Sequence, residues 1–117
     1  MAMLLSRIAA ALGAFVPPDQ RVDDADVVRV VAGDRMSDLV SESDEKTLIV
    51  TNLAGPQLAS AAAIMDVPGI CLLKARRQDA ETEAPAGRDR TFVMVSPYDM
   101  YQTCGRLYEL LGATDTE

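Results

Sequence analysis

Histidine is absent from this sequence. That removes Ser-His-Asp and Cys-His nucleophilic catalysis, together with the commonest side-chain ligand for transition metals. Tryptophan is absent too, and aromatic residues make up only 4% of the chain, leaving little to stack on nucleobases. Positive charge is in short supply: 11 Lys and Arg face 18 Asp and Glu, a formal net charge of -7. The balance is opposite in sign to a nucleic-acid footprint, so no nucleic-acid partner is expected. The two cysteines, Cys71 and Cys104, lie far apart in apolar contexts rather than at the spacing of a disulfide framework, which points to a reduced, cytoplasmic protein. No run approaches the roughly 18 to 20 apolar residues of a membrane span, so no membrane association is expected. Phosphate cradles are missing as well, with no Gly-x-x-x-x-Gly-Lys-Ser/Thr anywhere and no Gly-x-Gly-x-x-Gly after the first strand pattern.

What is present is a soluble, globular mix: 117 residues, 49% apolar and 25% charged, suited to a single core. One domain over 1–117 is expected, with an N-terminal helix and lead-in over 1–16, a connector over 17–26, an α/β core over 27–111 and a tail over 112–117. Ser6 and Arg7 interrupt the apolar N-terminus, which spoils a signal peptide. Leu4, Leu5, Ile8, Ala11 and Leu12 instead recur at helical spacing, with Gly13 as a stop. Beyond the connector, residues 27–31, 47–51, 69–73 and 91–95 are short, β-branched-rich runs bounded by polar, Gly or Pro punctuation. Three of them lack alternation, as parallel strands covered on both faces do, while Arg29 marks the first as an edge. Helical patterns at 36–41, 56–65 and 97–111 alternate with these strands, predicting a mostly parallel sheet with helices on both faces. The stretch 75–90, with Arg76, Arg77, Asp79, Glu81, Glu83, Pro85 and Gly87, has almost no apolar face and reads as a solvated loop with at most a turn of helix, not as a cation loop.

The last helix carries the fullest signals. Ser96 is placed to cap it, Pro97 suits its first position, Asp99 stands where a capping box has its acid, and Gly112 closes it. Its stripe reads Met100, Tyr101, Cys104, Leu107, Tyr108 and Leu111, which makes Cys104 a packing residue rather than a nucleophile. Gly105 in the helix interior costs roughly 1 kcal/mol relative to Ala, so a strand, a helix or a ligand is expected to approach it closely.

In a parallel sheet the carboxyl ends of the strands share one edge, where ligands bind. Gly33, Asp34, Arg35, Met36, Ser37 and Asp38 follow the first strand, Thr51, Asn52 and Gln57 the second, Lys74 the third, and Ser96 and Tyr98 the fourth. A flexible turn, cationic groups and neutral hydrogen-bonding groups can hold a small anion or polar molecule. Asp34 and Asp38 oppose a bare phosphate and suit hydroxyls. The plain structural reading has Asp34 or Ser37 capping the short helix, Asn52 folding a turn onto its own backbone, and Arg35 pairing with Asp38. No metal and no cofactor is called for.

Four segments carry a family resemblance. They are Val30, Val31, Ala32, Gly33, Asp34, Arg35, Met36, Ser37, Asp38 and Leu39; the run from Leu48 through Thr51 and Asn52 to Gln57; Val67, Pro68, Gly69, Ile70 and Cys71; and Ser96, Pro97, Tyr98, Asp99 and Met100 with Cys104, Gly105, Arg106, Leu107 and Tyr108. Over nearly all of 27–111 the chain resembles the DRTGG domain family, in a stand-alone branch similar to the N-terminal domain of bacterial HPr kinase/phosphorylase. The resemblance implies a three-layer α/β/α domain with a mostly parallel sheet, similar also to the UDP-sugar-binding N-terminal domains of Mur ligases. Such domains are accessory modules beside kinase, acetyltransferase, CBS or hydrogenase-linked proteins. It implies no catalysis, because the phosphate loop of HPr kinase belongs to a domain this chain lacks. The expected function is a non-catalytic regulatory module that binds a small anionic or nucleotide-like ligand through Gly33, Asp34, Arg35, Ser37, Asp38, Thr51, Asn52, Ser96 and Tyr98. The alternative is an interaction or assembly module of a redox or signalling system, with a kinase or hydrogenase-linked partner or a second copy. In the homodimer, Met36, Leu39, Met65 and the Met- and Ala-rich second helix would supply an apolar patch.

Overall fold

Apolar runs with no polar face have to be covered on both sides, and the sheet shows how. The structure is a computed structural model that describes residues 2–17, 24–53, 56–74 and 91–112. The expected loop at 75–90, most of the connector and the tail beyond Gly112 lie outside these residues. The elements run β1 (Met3–Leu4), α1 (Leu5–Leu12), β2 (Asp26–Val27), β3 (Arg29–Ala32), α2 (Met36–Glu42), β4 (Thr47–Thr51), α3 (Pro56–Ile64), β5 (Gly69–Leu72), β6 (Phe92–Val95) and α4 (Met100–Leu111). The strands β3, β4, β5 and β6 form one sheet in that order, each pair parallel.

Where strands follow chain order, right-handed crossovers fall on one face of the sheet. Accordingly α2 and α3 bury Leu39, Leu58 and Ala62 against Ile49, Ile70, Leu72, Val93 and Val95. The opposite face takes the two terminal helices: Leu5, Ile8 and Leu12 of α1 and Leu107 and Leu111 of α4 lie over Leu48, Val50, Cys71 and Met94. Successive residues of each strand alternate between these two cores, which is the three-layer α/β/α arrangement with a parallel sheet. No helix among the described residues is long and apolar enough to cross a membrane.

The N-terminal helix docks, with a rotated stripe. Leu5, Ile8, Ala9 and Leu12 are buried, whereas Leu4 and Ala11, expected on the stripe, are exposed. Gly13 stops the helix at φ +68°, and its N–H and that of Ala14 bond back to Ala10 and Ala9 carbonyls. Phe15 then exchanges both backbone hydrogen bonds with Val95 at 2.8 Å, which covers the outer side of β6. Gly69 lets α1 sit this close: a Cβ there would lie 2.6 Å from Leu5 Cδ2 and 3.2 Å from Leu48 Cδ1.

Three expectations need correction. The run 27–31 is not one strand: Asp26–Val27 pairs antiparallel with Met3–Leu4, and β3 begins at Arg29. β3 is nevertheless the edge strand that Arg29 signalled, and the Arg29 guanidinium pairs with Asp44 at 3.1 Å. Second, Ser96 does not cap the last helix. Asp99 does, its Oδ1 accepting from the Gln102 N–H at 2.8 Å, so Pro97 stands outside the helix. Third, the buried face of α4 is Thr103, Leu107 and Leu111, with Met100, Cys104 and Leu110 packed beside it. Tyr101 and Tyr108 are 88% and 64% exposed. Gly105 lies on this exposed face, and beyond its chain neighbours and its own helix backbone no described atom comes within 4 Å of where its Cβ would be. Of the apolar patch expected around the second helix, Leu39 is buried and Met36 and Met65 pack partly against the core, while Val40 and Ile64 are exposed.

Candidate functional site

At the carboxyl edge, β3 continues one residue beyond Ala32, the Gly33 N–H donating to the Val50 carbonyl at 3.0 Å. The chain then turns so that Asp34 Oδ1 accepts from the Asn52 N–H at 2.7 Å and from Thr51 Oγ1 at 3.2 Å. Thr51 is fully buried, and its hydroxyl in turn accepts from the Leu53 N–H at 3.1 Å. One exposed carboxylate therefore ties the end of β3 to the end of β4, and Asp34, Thr51 and Asn52 form a single connected group. A carboxylate offers about four acceptor positions. Two are used here.

The plain structural reading holds for Arg35 and fails for Asp34. Arg35 Nε lies 3.7 Å from Asp38 Oδ2, on side chains 80% and 58% exposed, a geometry worth little stability. Neither Asp34 nor Ser37 caps α2: the N-cap position is Arg35, in an extended conformation, with no side-chain cap. Ser37 is exposed.

Ser96 and Tyr98 do not join this group. They follow β6, two strands beyond β4, or about 10 Å at ordinary strand spacing. Leu73, buried, and Lys74, exposed, come between them at the end of β5. Ser96 is fully buried, its Oγ lying 2.7 Å from Thr103 Oγ1 and accepting from the Tyr98 N–H at 3.1 Å. That serine fastens β6 to α4 and is not available to a ligand. The Tyr98 ring is covered by the Arg106 guanidinium, 4.0 Å from its centroid. Sequence reasoning passed over Thr103, and named Arg106 without a role at this edge. Thr103 lies seven residues beyond Ser96 on the buried face of α4, a spacing visible once that face is known. Gln57 falls in the first turn of α3.

The order of the sheet also bears on the edge. Ligand crevices in open parallel sheets form where the strand order reverses, and β3 to β6 run without a reversal. The candidate group accordingly sits on an even edge.

Electrostatics separate the cysteines from chemistry. Burial pushes the Cys71 thiol up to about 12, and burial raises Cys104 as well, so neither is a thiolate near neutral pH. Among the described residues, no group of three or more Cys, Asp or Glu is placed to hold a metal ion. No family model matches the chain, and no curated protein sequence does.

Proposed function

We propose that the protein is a non-catalytic regulatory module of the DRTGG kind, taking a small, hydroxyl-bearing, nucleotide-like anion at the carboxyl ends of β3 and β4. The observation that carries this reading is Asp34, an exposed carboxylate oriented by two donors from the neighbouring strand. An acid fixed at a strand end with acceptor positions to spare suits a pair of ribose hydroxyls. Arg35, whose pairing with Asp38 is long and exposed, supplies charge for a phosphate at little cost. Gly33 and Asn52 complete the group. Ser96 and Tyr98 are dropped from it, because one is committed inside the fold and the other is stacked under Arg106.

The test is an NMR titration against nucleotides, dinucleotides and UDP-sugars. Shifts should concentrate at Gly33, Asp34, Arg35, Thr51 and Asn52. Arg35→Ala should weaken binding by about 1.5 kcal/mol, the low end for a hydrogen bond to a charged group, because the side chain is 80% exposed. Binding that is unchanged in Arg35→Ala, or shifts confined to other parts of the sheet, would refute the site.

A second reading, an assembly module of a cytoplasmic redox or signalling system with a kinase or hydrogenase-linked partner, is favoured by one observation. Tyr101 and Tyr108 are both exposed on α4.

A further inference from the structure

An interior glycine weakens a helix unless a neighbour uses the space it leaves. Gly105 sits in the middle of α4, and no described atom of the chain uses that space. The result is a shallow depression on the exposed face of the helix, floored by Gly105 and walled by Tyr101, Gln102, Arg106 and Glu109. Residues 101, 105 and 109 are spaced by four and so share one face of a helix. This face carries one of the two most exposed large apolar side chains of the described residues, Tyr101 at 88%.

We propose that the depression is filled by a second copy of this chain, with two α4 helices crossing antiparallel at Gly105. A twofold interface must be complementary to itself. In an antiparallel pair centred on Gly105, each residue meets the one equally far on the other side of the centre, so Tyr101 faces Glu109 of the second copy and Gln102 faces its Tyr108. Each meeting couples a hydroxyl donor to an acceptor, and each occurs twice. Charge permits the same surface: the chain carries a formal charge of -7, yet Arg106 and Glu109 cancel on this face, so the contact itself adds no net like charge between two copies. A helix of twelve residues, about 18 Å long, covers less than the roughly 800 Å² per partner of a standard interface. The dimer is therefore weak and fills only as concentration rises. This surface is separate from the sheet edge bearing Asp34, so the ligand titration and the measurement of association succeed or fail independently.

The test is sedimentation equilibrium over about 10 μM to 1 mM, a span that brackets weak association, on the whole chain and on Gly105→Gln, Tyr101→Ser and Glu109→Lys. The wild-type mass should climb from 12.6 kDa toward twice that value. All three variants should stay near the monomer mass, with apparent Kd raised roughly tenfold or more. Gly105→Gln should at the same time raise the melting temperature of the dilute monomer by a few degrees, since the exposed helix gains a better helix former whose Cβ meets no described atom within 4 Å beyond the helix's own backbone and its chain neighbours. Tighter folding with weaker association is a combination that general damage to the fold does not produce. A wild-type mass of 12.6 kDa throughout overturns the proposal, as does a dimer that survives Gly105→Gln undiminished; should that variant fail to fold, Tyr101→Ser and Glu109→Lys decide the matter alone.

Discussion

The Ser96–Thr103 pair offers the sharpest check on the division between the framework and the candidate site. Both hydroxyls are fully buried and 2.7 Å apart, and Ser96 also accepts the Tyr98 N–H. Thr103→Val keeps the shape of the side chain, removes its hydroxyl, and leaves Ser96 with one partner fewer inside the fold. A buried hydrogen bond contributes about 1 kcal/mol net, and leaving a buried polar atom poorly satisfied adds about 1 kcal/mol more, so the expected loss is about 1 to 2 kcal/mol. Ser96→Ala should cost a similar amount, because it removes the hydroxyl partner of Thr103 and the acceptor of the Tyr98 N–H. In the double variant the shared bond is lost only once, so its cost should fall short of the sum by about 1 kcal/mol. Urea denaturation of the wild type and three variants, with a constant slope m, measures all four corners. Additive losses would refute the pairing. If Ser96→Ala left stability untouched and abolished ligand binding, Ser96 would return to the binding group and the fastening role assigned to it would be wrong.

Two further outcomes test the framework. Gly69→Ala places a Cβ against buried Leu5 and Leu48, and should cost about 1 to 3 kcal/mol in a urea melt; no loss would mean that α1 rides freely on the sheet. The Lys46 N–H, the Thr47 hydroxyl and Arg29 hold the Asp44 carboxyl below its ordinary value of 3.8, so Asp44 adds stability that is complete above that value and is lost as pH falls through its lower, folded pKa. Asp44→Ala should consequently flatten the fall in stability on acidification below about pH 4, and an unchanged acid limb would refute the assignment.

The parts of the fold that were legible in the sequence are those whose cause is local. Residues 47–51, 69–73 and 91–95 read as buried strands because each alternates between two apolar cores, which only a strand covered on both faces requires. Gly13 read as a stop because a left-handed residue ends the helix there. The last helix was placed correctly at its end, begun one turn early and rotated wrongly. Tyrosine counts as apolar and threonine as polar in a periodicity argument, yet Tyr101 and Tyr108 face outward, while the Thr103 hydroxyl is satisfied by Ser96 and goes inside. The split of 27–31 could not be read locally, since Val27 is held by Met3, more than twenty residues away.

The same distinction governs the candidate site and explains why it shrank. Arg35, the N-cap residue of α2, and Asp38 in its first turn are three residues apart, so their pairing was anticipated from spacing alone. Asp34 and Asn52 are eighteen residues apart, and only parallel pairing of β3 with β4 makes them neighbours. Ser96 stands at the end of β6 as a ligand residue would, but a strand end is also where the chain must turn into the next helix. There its hydroxyl serves Thr103 and the Tyr98 backbone. Position at the carboxyl edge is therefore a necessary feature of a binding residue in this fold, and exposure with spare hydrogen-bonding capacity is the second. Of the polar groups expected there, Asp34 meets both requirements by virtue of a long-range contact. Arg35 meets them because its local contact is weak. A ligand bound at this edge as proposed engages those two adjacent residues, one acidic and one basic. That favours a molecule presenting hydroxyls and an anion within a few ångströms of each other over a bare phosphate or a neutral sugar.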